Sequence, residues 1–325
     1  MNTRIVGTGH CLPETVVTND DLAKIMDTSD EWISSRTGIR QRRLVKEETT
    51  ASLAASAAQK ALEDAGIQAE DIDLIIVATL SADYITPSCA CEVQDMIGAK
   101  RAVAFDLNAA CSGFLFALNT ASMYLKQGVY KNAIVIGAES LSRILDWDDR
   151  STCVLFGDGA GAVVVQATED DAEGQGIISF TQSSDGARGM VLSGVNRTNN
   201  NPLISTGTEP GYLQMNGQEV YKFAVSTVPA CITEVLEKAG MDISEIKYFL
   251  LHQANVRILQ SVGKRLKVSE EKIPISLDHC GNVSAASVPI LLDEINKKGM
   301  LEKGDKIVLA GFGGGLTWGA CVLEW

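Results

Sequence analysis

Short apolar runs alternate along the chain with longer segments in which apolar residues recur every three or four positions. The runs at 73–79 and 133–137 are typical of buried strands, whereas 50–66 and 112–127 have the spacing of helices packed on one face. Strands and helices that alternate in this way predict an α/β fold with a layered sheet.

The same pattern occurs twice. Segment 60–79 aligns with 234–253 at a constant offset of 174, and the same offset pairs Asn108 with Asn282. The final strands align at an offset of 158 instead, so the first half carries roughly 16 extra residues, near 139–156, which we interpret as a functional loop. We therefore divide the chain into two halves related by pseudo-symmetry, 1–170 and 171–325, with clefts at their junction.

Composition and charge narrow the class of protein. Apolar residues make up 46% of the chain and charged residues 21%, which is typical of a globular protein. The net charge of −13 argues against nucleic acid and anionic membranes as partners. The first residues, MNTRIVGTGH, lack the pattern of a signal peptide, and no apolar run approaches about 20 residues. We therefore expect a cytoplasmic protein.

Cysteines and glycines suggest neither a metal nor a nucleotide site. The eight cysteines lie mostly in apolar segments and are expected to be reduced, and the pair Cys89 and Cys91 has no second pair at zinc-finger spacing. The glycine-rich segments 157–162 and 311–315 lack the Lys-Ser/Thr of a phosphate loop, and Leu12 stands where a dinucleotide fingerprint needs glycine. Tight turns between packed strands explain these glycines.

Cys111 stands where a predicted strand turns into the helix 112–127. Free N–H groups and the positive end of the helix dipole at such a turn are expected to lower the pKa of the thiol and to favour thiolate. A nucleophile is one interpretation. A small core cysteine in an alanine-rich setting is the other.

His252 and Asn282 occupy comparable places in the second half. His252 closes the strand YFLLHQAN at the repeat position of the apolar Ala78, where ligand sites gather in α/β sheets. Asn282 stands at the repeat position of Asn108, just before Cys111 in the first half. A satisfied core histidine and an ordinary turn asparagine are the alternatives. The conjunction of Cys, His and Asn at strand ends and helix starts favours one shared catalytic site.

Four segments of the chain resemble the signatures of the β-ketoacyl-acyl carrier protein synthase III family, within the thiolase superfamily. They are AACSGF (109–114), HQAN (252–255), GNVSAAS (281–287) and GFGGGLTWG (311–319). The likeness covers essentially the whole chain. It implies a thiolase-like five-layered αβαβα sandwich built from two duplicated halves, a homodimer, and the catalytic triad Cys111, His252 and Asn282.

The resemblance also implies the reaction, a decarboxylative Claisen condensation at the first elongation step of type II fatty acid biosynthesis. Cys111 thiolate would attack an acyl-CoA thioester, while backbone N–H groups of Cys111 and Gly314 hold the oxyanion. His252 and Asn282 would donate hydrogen bonds to the thioester carbonyl of malonyl-acyl carrier protein as carbon dioxide leaves. No cofactor is implied, because coenzyme A enters as a thioester substrate.

Binding residues follow by matching individual positions to the family. Those for coenzyme A are Thr28, Trp32, Arg36, Arg150, Asn255 and Phe312. Those for the carrier protein are Lys222, Gln253, Arg257, Lys264 and Arg265, because an acidic partner of an acidic chain needs a local basic face. An exposed amphipathic helix and an ordinary solvated helix face are the respective alternatives.

The primer is the least defined part of this interpretation. Thr86 stands where the family projects a residue across the dimer interface to close the primer pocket, and a small residue there is compatible with a longer or branched primer. The loop 186–214 is longer than the usual family version. The leading hypothesis is therefore initiation from acetyl-CoA or a short or branched acyl-CoA. A related enzyme of secondary metabolism and a catalytically silent binding protein are the other two, and the intact triad argues against the silent protein.

Overall fold

A computed structural model of the chain describes residues 1–168, 176–194, 203 and 211–325. The strands are β1 (Asn2–Cys11), β2 (Val16–Thr18), β3 (Gln41–Arg43), β4 (Leu74–Ala78), β5 (Val103–Leu107), β6 (Asn132–Ser140), β7 (Asp158–Thr168), β8 (Gly176–Ser184), β9 (Leu192–Ser193), β10 (Gln214–Met215), β11 (Ile246–Leu251), β12 (Lys306–Gly313) and β13 (Thr317–Glu324). The α-helices are α1 (Asn19–Leu22), α2 (Asp30–Thr37), α3 (Thr50–Ala65), α4 (Cys89–Ile97), α5 (Gly113–Lys126), α6 (Gly217–Ala239), α7 (Val256–Leu266), α8 (Leu277–Cys280) and α9 (Ser287–Lys297).

Two main sheets carry the fold. The first has the strand order β1-β7-β6-β4-β5 and the second the order β8-β13-β12-β11. Helices α5 and α9 pack between the sheets, α3 covers the outer face of the first sheet, and α6 covers the outer face of the second. This is the five-layered αβαβα sandwich that the family resemblance implies, and the fold prediction is confirmed.

The duplication predicted from the sequence is visible in the strand orders. Strands β1, β7, β6 and β4 of the first sheet correspond in order to β8, β13, β12 and β11 of the second. The correspondence ends at β5, because residues at its repeat position form the short helix α8. The proposed boundary between the halves, 170/171, lies outside the described residues.

Close packing of backbone on backbone explains one pair of glycines in the first half. A Cβ atom added at Gly7 would lie 2.4 Å from Ala61 O, and one added at Gly9 would lie 2.4 Å from Ala57 O. Any side chain at these two positions would therefore force β1 away from α3. The alanine-rich face of α3 and the glycines of β1 fit together as one interlocking surface.

The extra residues predicted in the first half are confirmed. The connection from β6 to β7 spans 141–157, whereas the corresponding connection from β12 to β13 spans only 314–316. The long connection supports the second half of the chain: Asn282 N donates to Leu155 O (2.9 Å), and Gly157 N donates to Asn282 O (3.0 Å). It therefore fixes the backbone of a predicted catalytic residue.

Candidate active site

Cys111 lies in a single 3-10 turn, Ala110–Ser112, immediately before α5. Ala110 takes a left-handed conformation (φ 47°), and its N–H donates to the side-chain oxygen of Asn108 (3.1 Å). The thiol is buried, and the backbone of Gly313 approaches so closely that a Cβ there would lie 2.6 Å from Cys111 N. Only glycine fits this approach.

The expected lowering of the Cys111 pKa is wrong for the structure as it stands. Burial removes the thiolate from water and raises the pKa of the thiol to about 12. The hydroxyl of Ser284 acts in the opposite direction, and the carboxyl of Glu139 raises the pKa further. Desolvation outweighs the position at the helix start, so the thiol needs a proton acceptor before it can attack.

His252 directly follows β11 and is almost completely buried. Its Nδ1 lies 2.6 Å from Ser287 Oγ at the start of α9, and its ring packs edge-on against Phe312, with 5.2 Å between the ring centroids. Burial disfavours the imidazolium and lowers the pKa of His252 to about 3. The imidazole is therefore neutral at physiological pH.

The Ser287 hydroxyl determines which ring nitrogen of His252 carries the proton. Ser287 Oγ also lies 2.9 Å from Ser284 O and has a single hydrogen to donate. If that hydrogen bonds Ser284 O, Nδ1 of His252 is the protonated nitrogen; if it bonds Nδ1, Nε2 is protonated and becomes a donor. The site can thus present either a donor or an acceptor at Nε2, according to the direction of one hydroxyl and the ring nitrogen that carries the proton.

Asn282 presents its amide from the turn that precedes α9. The side-chain oxygen accepts a hydrogen bond from Ser284 N (2.9 Å), which uses the acceptor end of the amide. The NH2 group makes no hydrogen bond to the described part of the chain and remains available as a donor. The backbone bonds to Leu155 and Gly157 hold the residue in place.

These three side chains line one narrow cavity of about 230 Å³. Its other walls are mainly apolar and aromatic, with contributions from Phe156, Phe223 and Phe312. Among the described residues that line it there is no Lys, Arg, Asp or Glu. A sulfur, an uncharged imidazole and an amide therefore meet in a cavity without formal charge.

Cys111 also borders a second, larger cavity of about 730 Å³. Leu80, Leu141, Ile144 and Leu213 give this cavity an apolar wall, and Gly314 also lines it. Cys111 thus stands between two spaces. One is lined by His252 and Asn282, and the other has an apolar wall.

The predicted coenzyme A residues cluster at two depths. Asn255 and Phe312 line the narrow cavity, together with Ser151, the neighbour of Arg150. Farther out, the guanidinium carbons of Arg36 and Arg150 lie 4.7 Å and 5.3 Å from the ring centroid of Trp32.

Thr28, in the segment before α2, has a buried hydroxyl with no hydrogen-bond partner in the described chain. The indole with two planar cations is a suitable stacking surface for a purine base. Thr28 adds a hydroxyl without a hydrogen-bond partner in the described chain, four residues before Trp32.

Four of the five predicted carrier-protein residues are exposed. Lys264 and Arg265 stand in the last turn of α7, and Arg257, in its first turn, donates to Ser35 O (3.0 Å). Lys222 on the adjacent α6 pairs with Glu219 (2.8 Å). Together they form a basic surface across α6 and α7.

Gln253 is the fifth predicted carrier-protein residue, and that prediction is wrong. The residue is 1% exposed, and its side-chain amide bonds Leu251 O (2.8 Å) and accepts from Ser276 N (3.1 Å) and Leu277 N (3.3 Å). All of its hydrogen-bonding capacity is directed inward. Gln253 joins β11 to the start of α8 and has no surface to offer a partner.

Thr86 is exposed and does not line either cavity within one chain. Its neighbours Tyr84 and Ile85 are also exposed, at 59% and 74%. Its role in closing the primer pocket stays a prediction that concerns a second copy. Most of the loop 186–214 lies outside the described residues, so its predicted effect on the pocket also stays open.

One further group has the side-chain chemistry of a metal site. Ligand atoms of His279, Cys280 and Glu294 lie within 4.8 Å of one another. His279 bonds Glu294 (2.7 Å) and Asp278 (2.9 Å), and these carboxylates raise the pKa of its imidazole to about 12. A doubly protonated imidazole has no lone pair for a metal, so we assign the group to a salt-bridge network.

Sequence reasoning missed three polar residues of the site: Glu139, Ser284 and Ser287. Glu139 ends a strand that the apolar pattern identifies only up to 137, and its charge in a buried strand was the available signal. The two serines belong to the segment GNVSAAS, whose spacing of three places them on one side of the turn into α9.

Comparison with known proteins agrees with this geometry. The families described as 3-Oxoacyl-[acyl-carrier-protein (ACP)] synthase III and as its C-terminal part match residues 105–200 and 236–325. Beta-ketoacyl-[acyl-carrier-protein] synthase III of Clostridium acetobutylicum is 52% identical to the chain over 322 residues, which cover 99% of this chain and 98% of that protein. The chain belongs to the β-ketoacyl-acyl carrier protein synthase III family. As a synthase III family member it is a condensing acyltransferase of fatty acid biosynthesis.

Solved synthase III structures have the same fold. The enzyme from Aquifex aeolicus VF5 is 47% identical, with a TM-score of 0.92 and coverage of 99% of this chain and 100% of that one. The enzyme from Pseudomonas aeruginosa PAO1 is 38% identical with the same TM-score, and the likeness covers 100% and 98% of the two chains. Among the described helices of this synthase III, none combines the length and apolar character needed to span a bilayer.

Proposed function

We propose that the chain condenses an acyl-CoA primer with malonyl-acyl carrier protein through an acyl-cysteine intermediate, giving 3-oxoacyl-acyl carrier protein, coenzyme A and carbon dioxide. The observation that carries this proposal is the meeting of Cys111, His252 and Asn282 in one narrow cavity. A nucleophile and two hydrogen-bond donors around one small volume suit a reaction in which two thioesters react in turn at the same place.

The first half-reaction is acyl transfer to sulfur. Cys111 thiolate attacks the thioester carbonyl, and the oxyanion that forms accepts hydrogen bonds from the backbone N–H groups of Cys111 and Gly314. Two features support this assignment: Gly314 lies beside Cys111 on the larger cavity, and the backbone of Gly313 comes within van der Waals contact of the Cys111 amide. Coenzyme A leaves as its thiolate and takes a proton from solvent.

The second half-reaction is decarboxylation and carbon–carbon bond formation. Asn282 NH2 and His252 Nε2–H donate to the malonyl thioester carbonyl, so that negative charge collects on that oxygen as carbon dioxide leaves. The low pKa of His252 supports a role as neutral donor and not as a base. Nε2–H requires the Ser287 hydroxyl to point at Nδ1. The enolate carbon then attacks the acyl-cysteine carbonyl and expels Cys111 thiolate.

Reconstitution with defined thioesters tests the proposal as a whole. The protein is incubated with malonyl-acyl carrier protein and a panel of acyl-CoA primers of two to eight carbons, straight and branched, and products are identified by mass. The apolar wall of the larger cavity leads us to expect 3-oxoacyl-acyl carrier protein from acetyl-CoA or short branched primers. Failure of every primer, with the protein folded, would contradict the proposal.

We propose that coenzyme A stacks its adenine on Trp32 between Arg36 and Arg150. Arg150 already lies over the indole and is held by Asp27. The adenine would therefore bind next to a guanidinium that is already in position. Replacing Trp32 with Ala should raise the KM for acyl-CoA roughly tenfold and leave the rate with saturating primer nearly unchanged. A lowered rate at saturation with an unchanged KM would contradict this site.

We propose that the basic surface of Lys222, Arg257, Lys264 and Arg265 receives the acidic carrier protein. The chain has 41 acidic against 28 basic residues, so a local reversal of charge is needed for association. Replacing Lys264 and Arg265 with Glu should raise the KM for malonyl-acyl carrier protein about tenfold at low salt and less at high salt. Lys303→Glu, at the opposite end of the strands, is the matched control, and an equal effect there would contradict the assignment.

We propose a homodimer formed along the free edge of β5. Val103 on this edge strand is 47% exposed, and Met96 of α4 and Met123 of α5 beside it are 48% and 45% exposed. An exposed strand edge flanked by large apolar side chains favours pairing with a second copy. Sedimentation equilibrium should give twice the chain mass, and Val103→Glu should shift it toward the monomer; a monomeric parent protein would contradict the proposal.

We also propose that the protein acts in the cytoplasm. All eight cysteines are free thiols, as a reducing compartment keeps them. Cell fractionation with an antibody against the chain tests this placement, and recovery in an extracellular or membrane fraction would contradict it.

A further inference from the structure

A buried carboxyl group without a cationic partner lies near the nucleophile. Glu139, the next-to-last residue of β6, is 0% exposed. Its Oε2 accepts hydrogen bonds from Ser81 Oγ (2.5 Å), Leu80 N (3.2 Å) and Thr79 Oγ1 (3.3 Å). Its Oε1 is buried and makes no hydrogen bond to the described chain. A buried acceptor of this kind is costly unless it is protonated or has a donor.

The candidate donor for Glu139 Oε1 is the hydroxyl of Ser284. Ser284 Oγ is likewise buried and forms no hydrogen bond of ordinary geometry to the described chain. It nevertheless lies close enough to both Cys111 and Glu139 to lower the pKa of each. Two buried oxygen atoms without a hydrogen-bond partner in the described chain therefore belong to residues that act on the same thiol.

The backbone of Ser284 is rigidly held. Its N–H donates to Asn282 Oδ1 (2.9 Å), and its carbonyl oxygen lies 2.9 Å from Ser287 Oγ. The residue takes a left-handed conformation (φ 45°), which costs a non-glycine residue roughly 1 kcal/mol or more. The fixed backbone limits the positions that the Ser284 hydroxyl can take.

Several elements packed around Glu139 carry titratable groups. The turn after β5 contributes Cys111, and the start of α4 contributes Cys89. On β7, Asp158 is directed to Ser142 and Val45 and not to Glu139. No Lys, Arg or His of the described chain forms an ion pair with Glu139. Burial therefore raises the pKa of Glu139 to about 7.

We propose that Glu139 is a positioning residue for the nucleophile, which through the hydroxyl of Ser284 takes the thiol proton of Cys111 and so generates the attacking thiolate. The Sγ–H bond breaks as its proton passes to Ser284 Oγ, and the former Ser284 hydroxyl proton passes to Glu139 Oε1. One negative charge moves from carboxylate to sulfur without another reagent. The inference rests on the proposed function of Cys111.

The resulting arrangement satisfies every buried atom. Protonated Glu139 donates to Ser284 Oγ, whose single hydrogen then donates to the thiolate. Two simultaneous negative charges in this buried space would be strongly opposed, so Cys111 and Glu139 share one charge and titrate as a pair. Condensation returns Cys111 as thiolate. Glu139 therefore keeps its proton from one turnover to the next.

Alkylation of Cys111 tests the relay without any substrate. The rate of modification by iodoacetamide is measured against pH, and the modified peptide is identified by mass spectrometry. The parent protein should gain reactivity through neutral pH. Glu139→Gln should react about tenfold more slowly at pH 7 and gain reactivity only at higher pH. Ser284→Ala should behave alike, the double variant should lose little more, and Glu139→Asp should recover part of the rate.

Asp158→Asn is the matched control, since it also neutralises a buried carboxyl on a neighbouring strand; its pH profile should follow the parent. A Glu139→Gln profile that superimposes on the parent, or that is reduced by the same factor at every pH, would overturn the proposal. Circular dichroism and melting temperature establish folding, and Ser284→Ala provides the test if Glu139→Gln does not fold. Failure of the proposed condensation would give a different result. Iodoacetamide would still modify Cys111 with the expected pH profile, but no acyl-CoA would label the protein.

Discussion

The turns at 108–112 and 282–286 have the same backbone and different chemistry. In each, an asparagine side chain accepts the N–H two residues later, at 3.1 Å and 2.9 Å. In each, that later residue is left-handed, with φ of 47° at Ala110 and 45° at Ser284. A helix of the central layer then begins. The first turn presents a thiol, whereas the second has Ala285 at the thiol's position and presents the asparagine amide.

The comparison shows how one local backbone structure can present two different side chains. Left-handed residues held by asparagine fix the direction in which each helix leaves its turn, and this direction places both turns against each other at the middle of the molecule. The surroundings then differ: the first turn is approached by Gly313 and the second by Gly137. The repeated backbone supplies position, and a few side chains supply the chemistry.

Removing the thiol of the first turn should have the largest effect. Cys111→Ala is expected to lower acyl transfer by at least about 10⁴-fold, measured as labelling of the protein by radioactive acyl-CoA. Moving the thiol to the second turn, in Cys111→Ala with Ala285→Cys, should not restore labelling, because Ala285 packs beside Gly113 and Gly137. Labelling at position 285 would show the turns to be interchangeable.

Exchanging the amide of the second turn for a carboxylate separates the two chemical roles. Asn282→Asp keeps the acceptor for Ser284 N–H but removes the NH2 donor, so carbon dioxide release from malonyl-acyl carrier protein should fall about 10²- to 10³-fold. Acylation of Cys111 should persist. Asn108→Asp, the same change in the first turn, should alter decarboxylation by at most about threefold. Equal losses in both variants would mean that Asn282 serves only to hold the backbone of its turn and not as a hydrogen-bond donor to the substrate.

Glycines at equivalent positions should differ in their effect on stability. A Cβ at Gly137 would lie 2.3 Å from Ala285 O, whereas at Gly311 the nearest atom would be Leu115 Cδ1 at 3.3 Å. Gly137→Ala should lower the free energy of unfolding by about 3 kcal/mol, and Gly311→Ala by less than about 1 kcal/mol. Urea denaturation measures both values. The opposite order would contradict the tighter contact at the second turn.

Acid should destabilise the second half through His252, which stands where the first half has Ala78. Burial holds its pKa at about 3, below the ordinary histidine value of 6.5, so the unfolded chain binds a proton that the folded chain does not. The stability is present above pH 6.5 and is lost as the pH falls. Between pH 7 and pH 5 the contribution is about 2 kcal/mol. His252→Asn should remove it from urea titrations, and an unchanged slope would refute the assignment.

The parts of this molecule that follow a repeated pattern were predictable from the sequence. The helices α3 and α5, the duplicated strand order and the long connection after β6 all follow from apolar spacing and one fixed offset. Cys111, His252 and Asn282 were predicted at strand ends and helix starts, and the structure places all three on the same cavity.

The remaining features depend on three-dimensional surroundings that spacing does not reveal. Burial reverses the expected shift of the Cys111 pKa, and Gln253 turns inward, where its side-chain oxygen accepts hydrogen bonds from Ser276 N and Leu277 N. Residues at the repeat position of β5 form a helix, although the offset alone predicts a strand there. Glu139 lies near Cys111 because β6 continues beyond the apolar run that ends at 137.

The uncharged lining of the narrow cavity has a consequence for the malonyl group. A carboxylate that enters it exchanges water for phenyl rings and aliphatic carbon, and no described wall residue supplies a counter-ion. The carboxylate is less well solvated in this cavity than in water. Cleavage of its carbon–carbon bond releases neutral carbon dioxide and so removes the charge from the apolar surroundings. In the proposed reaction, the apolar wall would therefore favour the loss of carbon dioxide.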